Sequence, residues 1–219
     1  MISNSGEIKS VDLFLFDWDG CLANTLHIWV EAWEATFSSF GVDISRKQII
    51  ADAFGNWLAP QEMGIENTDL FAAELYQEVA KRLIRAELHK GAKEILEMLK
   101  LQGKKIALVT SSHLSVVEPV LSRYEIDSLF DVKLGEAEVT KHKPDPEVIN
   151  LALRTTGSDR ARAIMIGDSV KDVEAAKNSA VKSCVFYPKV NQAFYKSETV
   201  AEWNADFLIS EFQELTQFI

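Results

Sequence analysis

Leu13-Phe14-Leu15-Phe16-Asp17-Trp18-Asp19-Gly20 is the stretch whose reading decides the fold. An apolar run leads straight into two aspartates spaced by one residue, then a glycine. Such a run bounded by a turn signal is the pattern of a strand buried on both faces, as in parallel sheets flanked by helices. The turn after the strand can bring Asp17 and Asp19 towards one space, where two carboxylates repel unless they share a cation or a proton. Magnesium meets that demand, since it takes a few carboxylates together with water and phosphate oxygens. Gly20 permits a sharp turn that most residues resist. Taken alone, D-x-D-G also describes a surface turn with two solvated aspartates, and it is the preceding apolar run that tells against this.

The same punctuation recurs further along. Lys105–Val109 runs into Thr110, and Ala163–Ile166 into Gly167 and Asp168; Val132–Leu134, Ser183–Phe186 and Phe207–Ile209 are further strand candidates. Between them, apolar residues at helical spacing predict helices over Ala92–Leu101, Val116–Tyr124, Pro146–Thr155 and Lys171–Asn178. This alternation argues for an α/β fold with a doubly wound, parallel, Rossmann-like sheet. Residues 26–88 break the rhythm. They carry helical patterns at Leu26–Phe40, Ser45–Ala53 and Asp69–Glu87 with no convincing strand, and Ser45 and Asp69 stand where N-caps would stand. The expected organisation is a core of residues 1–25 and 89–219 with an all-helical cap domain, 26–88, inserted after the first strand.

Asp17, Thr110 and Asp168 all follow the carboxyl ends of expected strands, the edge at which open parallel sheets bind ligands. Asp172 lies one turn into the helix after Asp168. Gly167-Asp168-Ser169 with Asp172 also suits plain helix capping, and the two readings can coexist. In Lys141-His142-Lys143-Pro144-Asp145-Pro146, a lysine before a proline-rigidified helix start can offer a cation to a phosphate; an exposed charged turn fits the same letters, and fits Lys141 best. Thr110-Ser111-Ser112 presents hydroxyls and backbone N–H groups that could hold phosphate oxygens, or cap the following helix.

Together, in this order and at these strand ends, the four elements resemble the haloacid dehalogenase superfamily, in particular its subgroup of β-phosphoglucomutase and phosphoglycolate phosphatase with a helical cap. The resemblance implies roles by position. Asp17 would be the nucleophile that forms an aspartyl-phosphate. Asp19 would be the general acid/base, its backbone carbonyl also on Mg²⁺. Thr110 and Lys143 would hold the transferring phosphoryl group, with Gly20, Ser111 and Ser112 lining the phosphate site. Asp168 and Asp172 would complete the metal site with Asp17 and Asp19. A carboxylate at position 19 is what phosphatases and mutases of the superfamily carry, so dehalogenation is not expected. The expected activity is magnesium-dependent hydrolysis of a small phosphorylated metabolite, with a phosphohexomutase of the β-phosphoglucomutase type as the alternative.

The chain departs from the family pattern at Cys21 and Asn24, where Thr and Asp are common, at His142 for a glycine, and at Ser179-Ala180 for Ala-Gly. Ala180 implies a strained or altered helix end, since glycine takes a left-handed conformation at lower cost. His113, Trp29, Trp33 and Trp57 could face a substrate, although a surface role suits His113 and cap core suits the tryptophans better; Lys81 and Arg82 read as solvated.

The composition bounds the partners. A net charge of −10 makes nucleic acid an unsuitable partner, whereas a local cation can still admit a phosphorylated metabolite. No run approaches the roughly 18 apolar residues of a membrane span. Cys21 and Cys184 form neither a metal-ligand spacing nor a disulfide framework, and Met1–Ser10 shows no signal-peptide pattern; a reducing cytoplasm is the expected setting. The expected assembly is a monomer or weak homodimer.

Overall fold

The computed structural model describes residues 10–219, so most of the N-terminal stretch read above lies outside the described residues. Six parallel strands form one sheet: β1 (Leu13–Phe16), β2 (Lys105–Val109), β3 (Val132–Leu134), β4 (Ala163–Gly167), β5 (Lys182–Phe186) and β6 (Phe207–Ile209), in the order β3-β2-β1-β4-β5-β6. Strand order reverses at β1, the switch point where doubly wound sheets open a crevice.

Period-two alternation explains why these runs read as unbroken apolar stretches. Phe14 and Phe16 of β1, Ile106 and Leu108 of β2, and Ile164 and Ile166 of β4 face one apolar cluster. Leu13 and Leu15, Ala107 and Val109, and Ala163 and Met165 face another. With both faces covered there is no solvent side to make polar. The register places Phe16 beside Leu108 on one side and Ile166 on the other. Asp17, Val109 and Gly167 therefore emerge level with one another, and Thr110 and Asp168 one residue beyond.

The helices are α1 (Leu26–Ser39), α2 (Arg46–Gln48), α3 (Ala59–Glu62), α4 (Thr68–Leu83), α5 (Ala92–Leu101), α6 (Leu114–Arg123), α7 (Glu147–Thr156), α8 (Val170–Asn178) and α9 (Ser197–Glu202). Five of them, α1 to α5, lie between β1 and β2 with no strand among them, and α1 to α4 fall within residues 26–88. The expected helix over Ser45–Ala53 is a single α-turn running into a π-helical Ile49–Ala53. Ser45 caps it as expected, its hydroxyl accepting from the Gln48 N–H in a capping box. The N-cap of α4 is Asn67 rather than Asp69. The Asn67 side chain accepts from the Leu70 N–H, which leaves Asp69 in the first turn beside the positive end of the helix dipole.

The insert has an aromatic centre. Phe71 of α4 lies 4.9 Å from Phe37, 5.4 Å from Phe40 and 5.5 Å from Trp33 between ring centroids, and α1 packs along α4. The same apolar cluster continues to the Phe14/Phe16 face of the sheet. Entry and exit strands of the insert run side by side: Asn24 N–H donates to the Glu87 carbonyl at 2.8 Å, His89 N–H to the Leu22 carbonyl at 2.9 Å, and Ala23 bridges Leu88. Ala180, at the end of α8, has φ of +53°, the left-handed turn that its sequence implied. No helix among the described residues is long and apolar enough to cross a membrane.

Candidate active site

The level strand ends bring three carboxylates together. Oxygens of Asp17, Asp168 and Asp172 lie within 4.8 Å of one another, and all three residues are buried. Lys143, also buried, reaches into the cluster: its Nζ is 2.8 Å from Asp17 Oδ1, donates to Asp172 Oδ1 at 2.7 Å and to the Val109 carbonyl at 3.1 Å. One ammonium cannot neutralise three carboxylates. Burial pushes the Asp17 carboxyl up to about 7 despite the Lys143 charge, with Asp172 adding to the rise. Burial, then the charges of Asp17 and Asp172, hold the Asp168 carboxyl well above the usual range. Burial opposes the Lys143 charge, but Asp17 and Asp172 more than offset it and raise its pKa.

This arrangement suits a divalent cation. Asp168 Oδ2 is buried and has no hydrogen-bond partner among the described residues. Gly20, at φ +73°, leaves open the space beside it, since a Cβ there would stand 2.2 Å from Asp168 Oδ2. Gly167 likewise has no room for a side chain, because Asp172 would lie 2.3 Å from its Cβ. Asp172 carries a structural duty too: its Oδ2 accepts from the Ser169 N–H at 3.1 Å and the Ser169 hydroxyl at 2.6 Å, closing the capping box of α8. Capping and the contact with Lys143 thus coincide in one residue, each using a different oxygen.

Asp19 is in a different environment. Its carboxylate stands outside the three-carboxylate group and accepts from neutral donors: the Thr25 hydroxyl at 2.7 Å and Trp29 Nε1 at 2.9 Å on Oδ1, and the Ser112 hydroxyl at 2.6 Å on Oδ2. Ser112, expected on the phosphate, is engaged with Asp19 here. Thr110 is buried, its hydroxyl accepting from the Ser112 N–H at 3.0 Å, and Ser111 is exposed. Lys141 is exposed, 3.8 Å from Asp145.

Several residues of the site carried no chemical signal in the sequence. Thr25 reads only as a residue before a helix. Trp29 was expected in the cap core, yet its indole N–H reaches Asp19. Asn191 donates to the Gly20 carbonyl at 2.8 Å from the loop after β5, and Tyr195 of that loop has its hydroxyl pKa pushed well up, by burial and then by the charges of Asp168, Asp172 and Asp17. The departures from the family pattern are accommodated. Cys21 is buried with its thiol directed at the Ile166 carbonyl at 3.5 Å, Asn24 links to Glu87 through its backbone, and His142 is exposed.

Comparison with known proteins converges on one family. The model described as haloacid dehalogenase-like hydrolase matches residues 14–186. A pyrophosphatase PpaX from Listeria welshimeri is 27% identical over 215 residues, covering 95% of this chain and 96% of its own. An N-acetylmuramic acid 6-phosphate phosphatase from Pseudomonas aeruginosa is 28% identical over 214 residues, with 92% and 91% covered. Among solved structures, CbbY from Rhodobacter sphaeroides, in complex with phosphate, superposes with a TM-score of 0.73 at 23% identity over 94% of this chain and 96% of that one.

Proposed function

Since the chain belongs to the haloacid dehalogenase-like hydrolase family, we propose that it is a magnesium-dependent phosphatase that hydrolyses a small phosphorylated metabolite through a phosphate ester on Asp17. The observation that carries this reading is the contrast between two aspartates one residue apart. Asp17 lies in a buried carboxylate cluster against Lys143, while Asp19 is held by neutral donors. When bound by Asp17, Asp168, Asp172 and the Asp19 backbone carbonyl, Mg²⁺ would offset the carboxylate charge and that of the phosphoryl oxygens.

Asp17 attacks phosphorus, and the covalent ester divides one difficult displacement into two easier ones. Lys143 and the Thr110 hydroxyl hold the phosphoryl oxygens, so charge spread over them in the transition state meets donors already in position. Asp19 protonates the leaving oxygen, then takes a proton from the water that attacks the ester. Thr25, Trp29 and Ser112 orient its carboxylate for both steps. The insert, 26–88, is the cap that excludes bulk water during the first step, hinged where Ala23–Asn24 and Glu87–His89 run side by side.

Phosphate release from a panel of sugar phosphates, phosphoglycolate, pyrophosphate and p-nitrophenyl phosphate, with Mg²⁺ and with a chelator, tests the reading. Mg²⁺-dependent release that disappears in Asp17→Asn is expected. Full turnover by Asp17→Asn would sink it, and conversion of β-glucose 1-phosphate to an isomer without free phosphate would mark a phosphohexomutase instead.

A further inference from the structure

A second group of side chains closes over Asp19 from both sides of the cap–core seam. From the insert, Trp29 donates its indole N–H to Asp19, the edge of Trp29 meets Tyr76 at 6.3 Å between centroids, and Trp57 stacks on Tyr76 at 5.8 Å with ring planes 21° apart. From the core, His113 follows β2 and Glu136 follows β3, both at the carboxyl edge of the sheet. His113 Nε2 lies 2.9 Å from Glu136 Oε2, and the imidazole meets the Tyr76 ring at 6.2 Å. The Tyr76 hydroxyl feels Glu136: its pKa is raised by burial and then by the Glu136 charge. Glu136 is tied to the catalytic loop as well, since its N–H donates to the Ser112 carbonyl at 3.2 Å while the Ser112 hydroxyl holds Asp19.

The chemistry of this clasp is one-sided. Its aromatic faces offer apolar contact with a polar tip. The Glu136 carboxylate accepts hydrogen bonds, and its Oε2, although 2.9 Å from His113 Nε2, is in no well-aligned hydrogen bond among the described residues. A leaving group with hydroxyls would stack its C–H face on the rings and donate to Glu136. A leaving group with its own carboxylate or phosphate would place a further negative charge beside the carboxylates of Glu136 and Asp19, and like charges repel.

Resting on the phosphatase reading above, we propose that Trp29, Tyr76, His113 and Glu136 form the leaving-group subsite, and that it selects a neutral, polyhydroxylated leaving group and rejects an anionic one. The substrate is then a phosphate monoester of a neutral sugar or polyol. Pyrophosphate and phosphoglycolate, whose leaving groups are anionic, are poor substrates.

The test is kcat/KM for glucose 6-phosphate and ribose 5-phosphate against pyrophosphate and 2-phosphoglycolate, with p-nitrophenyl phosphate as a generic ester, in the wild type, Glu136→Gln and Tyr76→Phe. The wild type is expected to favour a sugar phosphate by at least about tenfold over both anionic compounds. Glu136→Gln removes the charge but keeps the shape. It should shrink that ratio by about tenfold, mostly through KM, because Glu136 does not touch the phosphoryl group. Tyr76→Phe keeps the ring and should weaken sugar turnover by only a few-fold. A wild type that prefers pyrophosphate or phosphoglycolate overturns the proposal, as does a ratio unchanged in a folded Glu136→Gln. Loss of the phosphatase reading looks different: no Mg²⁺-dependent release even from p-nitrophenyl phosphate.

Discussion

The carboxylate cluster at the sheet edge and the aromatic clasp in the seam lie next to each other, joined through Asp17-Trp18-Asp19, but they are built on opposite principles. The cluster gathers Asp17, Asp168 and Asp172 around Lys143, all buried, with more negative charge than the ammonium can balance. Its residues are poorly suited to a stable core, and the proposed catalytic role would explain them together. The clasp uses tryptophan and tyrosine, which any core would accept, and acquires its character from what they face. Burying charge in excess makes a site conspicuous and strains the fold; burying aromatics does neither. The first region is therefore expected to trade stability for turnover under mutation, and the second to trade specificity.

Asp17→Asn should break the comparison furthest. Removing the proposed nucleophile should lower turnover at least about a thousandfold. In chelator-treated protein the same change should raise the melting temperature at pH 8. The Asp17 pKa is higher folded than unfolded, so below the unfolded value both states are protonated and the group is neutral in effect. As pH rises towards 7 the unfolded chain ionises first, and stability falls. A variant both inactive and no more stable than the wild type without cation would show that the cluster is not strained.

Lys143→Met should act in the opposite direction on stability. It leaves Asp17 and Asp172 facing each other without their shared cation, a loss of about 3–5 kcal/mol for breaking a buried pair, along with loss of turnover. Urea unfolding with and without Mg²⁺ checks this, and the deficit should shrink when the cation is present. Next to these, Phe71→Ala in the centre of the insert should cost about 3–5 kcal/mol by leaving a cavity among Trp33, Phe37 and Phe40. Trp57→Ala, at a ring 43% exposed, should cost well under half as much in the same denaturation series.

How far the sequence carries follows the same division. Leu13–Phe16 running into Asp17, Lys105–Val109 into Thr110, and Ala163–Ile166 into Gly167-Asp168 could be placed because a strand buried on both faces leaves no polar alternation, and the aspartates at its end have no core explanation. The six strands and their parallel sense follow from that pattern. Trp29 was indistinguishable from Trp33, since both sit on the apolar stripe of α1; only the turn at Gly20, which carries Asp19 under the insert, makes one of them a ligand of Asp19. Tyr76 and Glu136 were invisible for the same reason, being one more aromatic on an amphipathic helix and one more acid in a chain with many. Ser112 was read as a phosphate contact because hydroxyls after a strand often are, but its partner is Asp19, decided by how the loop folds back.

A pH-dependent effect sharpens the comparison at the seam itself. His89 belongs to the exit strand of the insert, is 7% exposed, packs edge-on to Phe186 at 5.1 Å, and its Nε2 has no partner among the described residues. Burial pushes its pKa down to about 4; the Gly20 carbonyl pulls it up, and nearby His27 pushes it further down. The folded state therefore holds His89 neutral, while the unfolded chain takes up a proton below its ordinary value near 6.5. Above that value neither state binds the proton and there is no penalty. As pH falls from 6.5 towards 4 the unfolded state binds more protons, so this histidine removes up to about 3 kcal/mol of stability across that window. His89→Asn keeps a short polar group towards Gly20 without a titrating ring. The stability difference between wild type and His89→Asn, followed by urea unfolding at pH 7 and pH 4, should shift by about 2–3 kcal/mol in favour of the variant at the lower pH. A difference independent of pH would mean that His89 gains access to solvent while the sheet is still folded, so that the seam opens in acid before the sheet does.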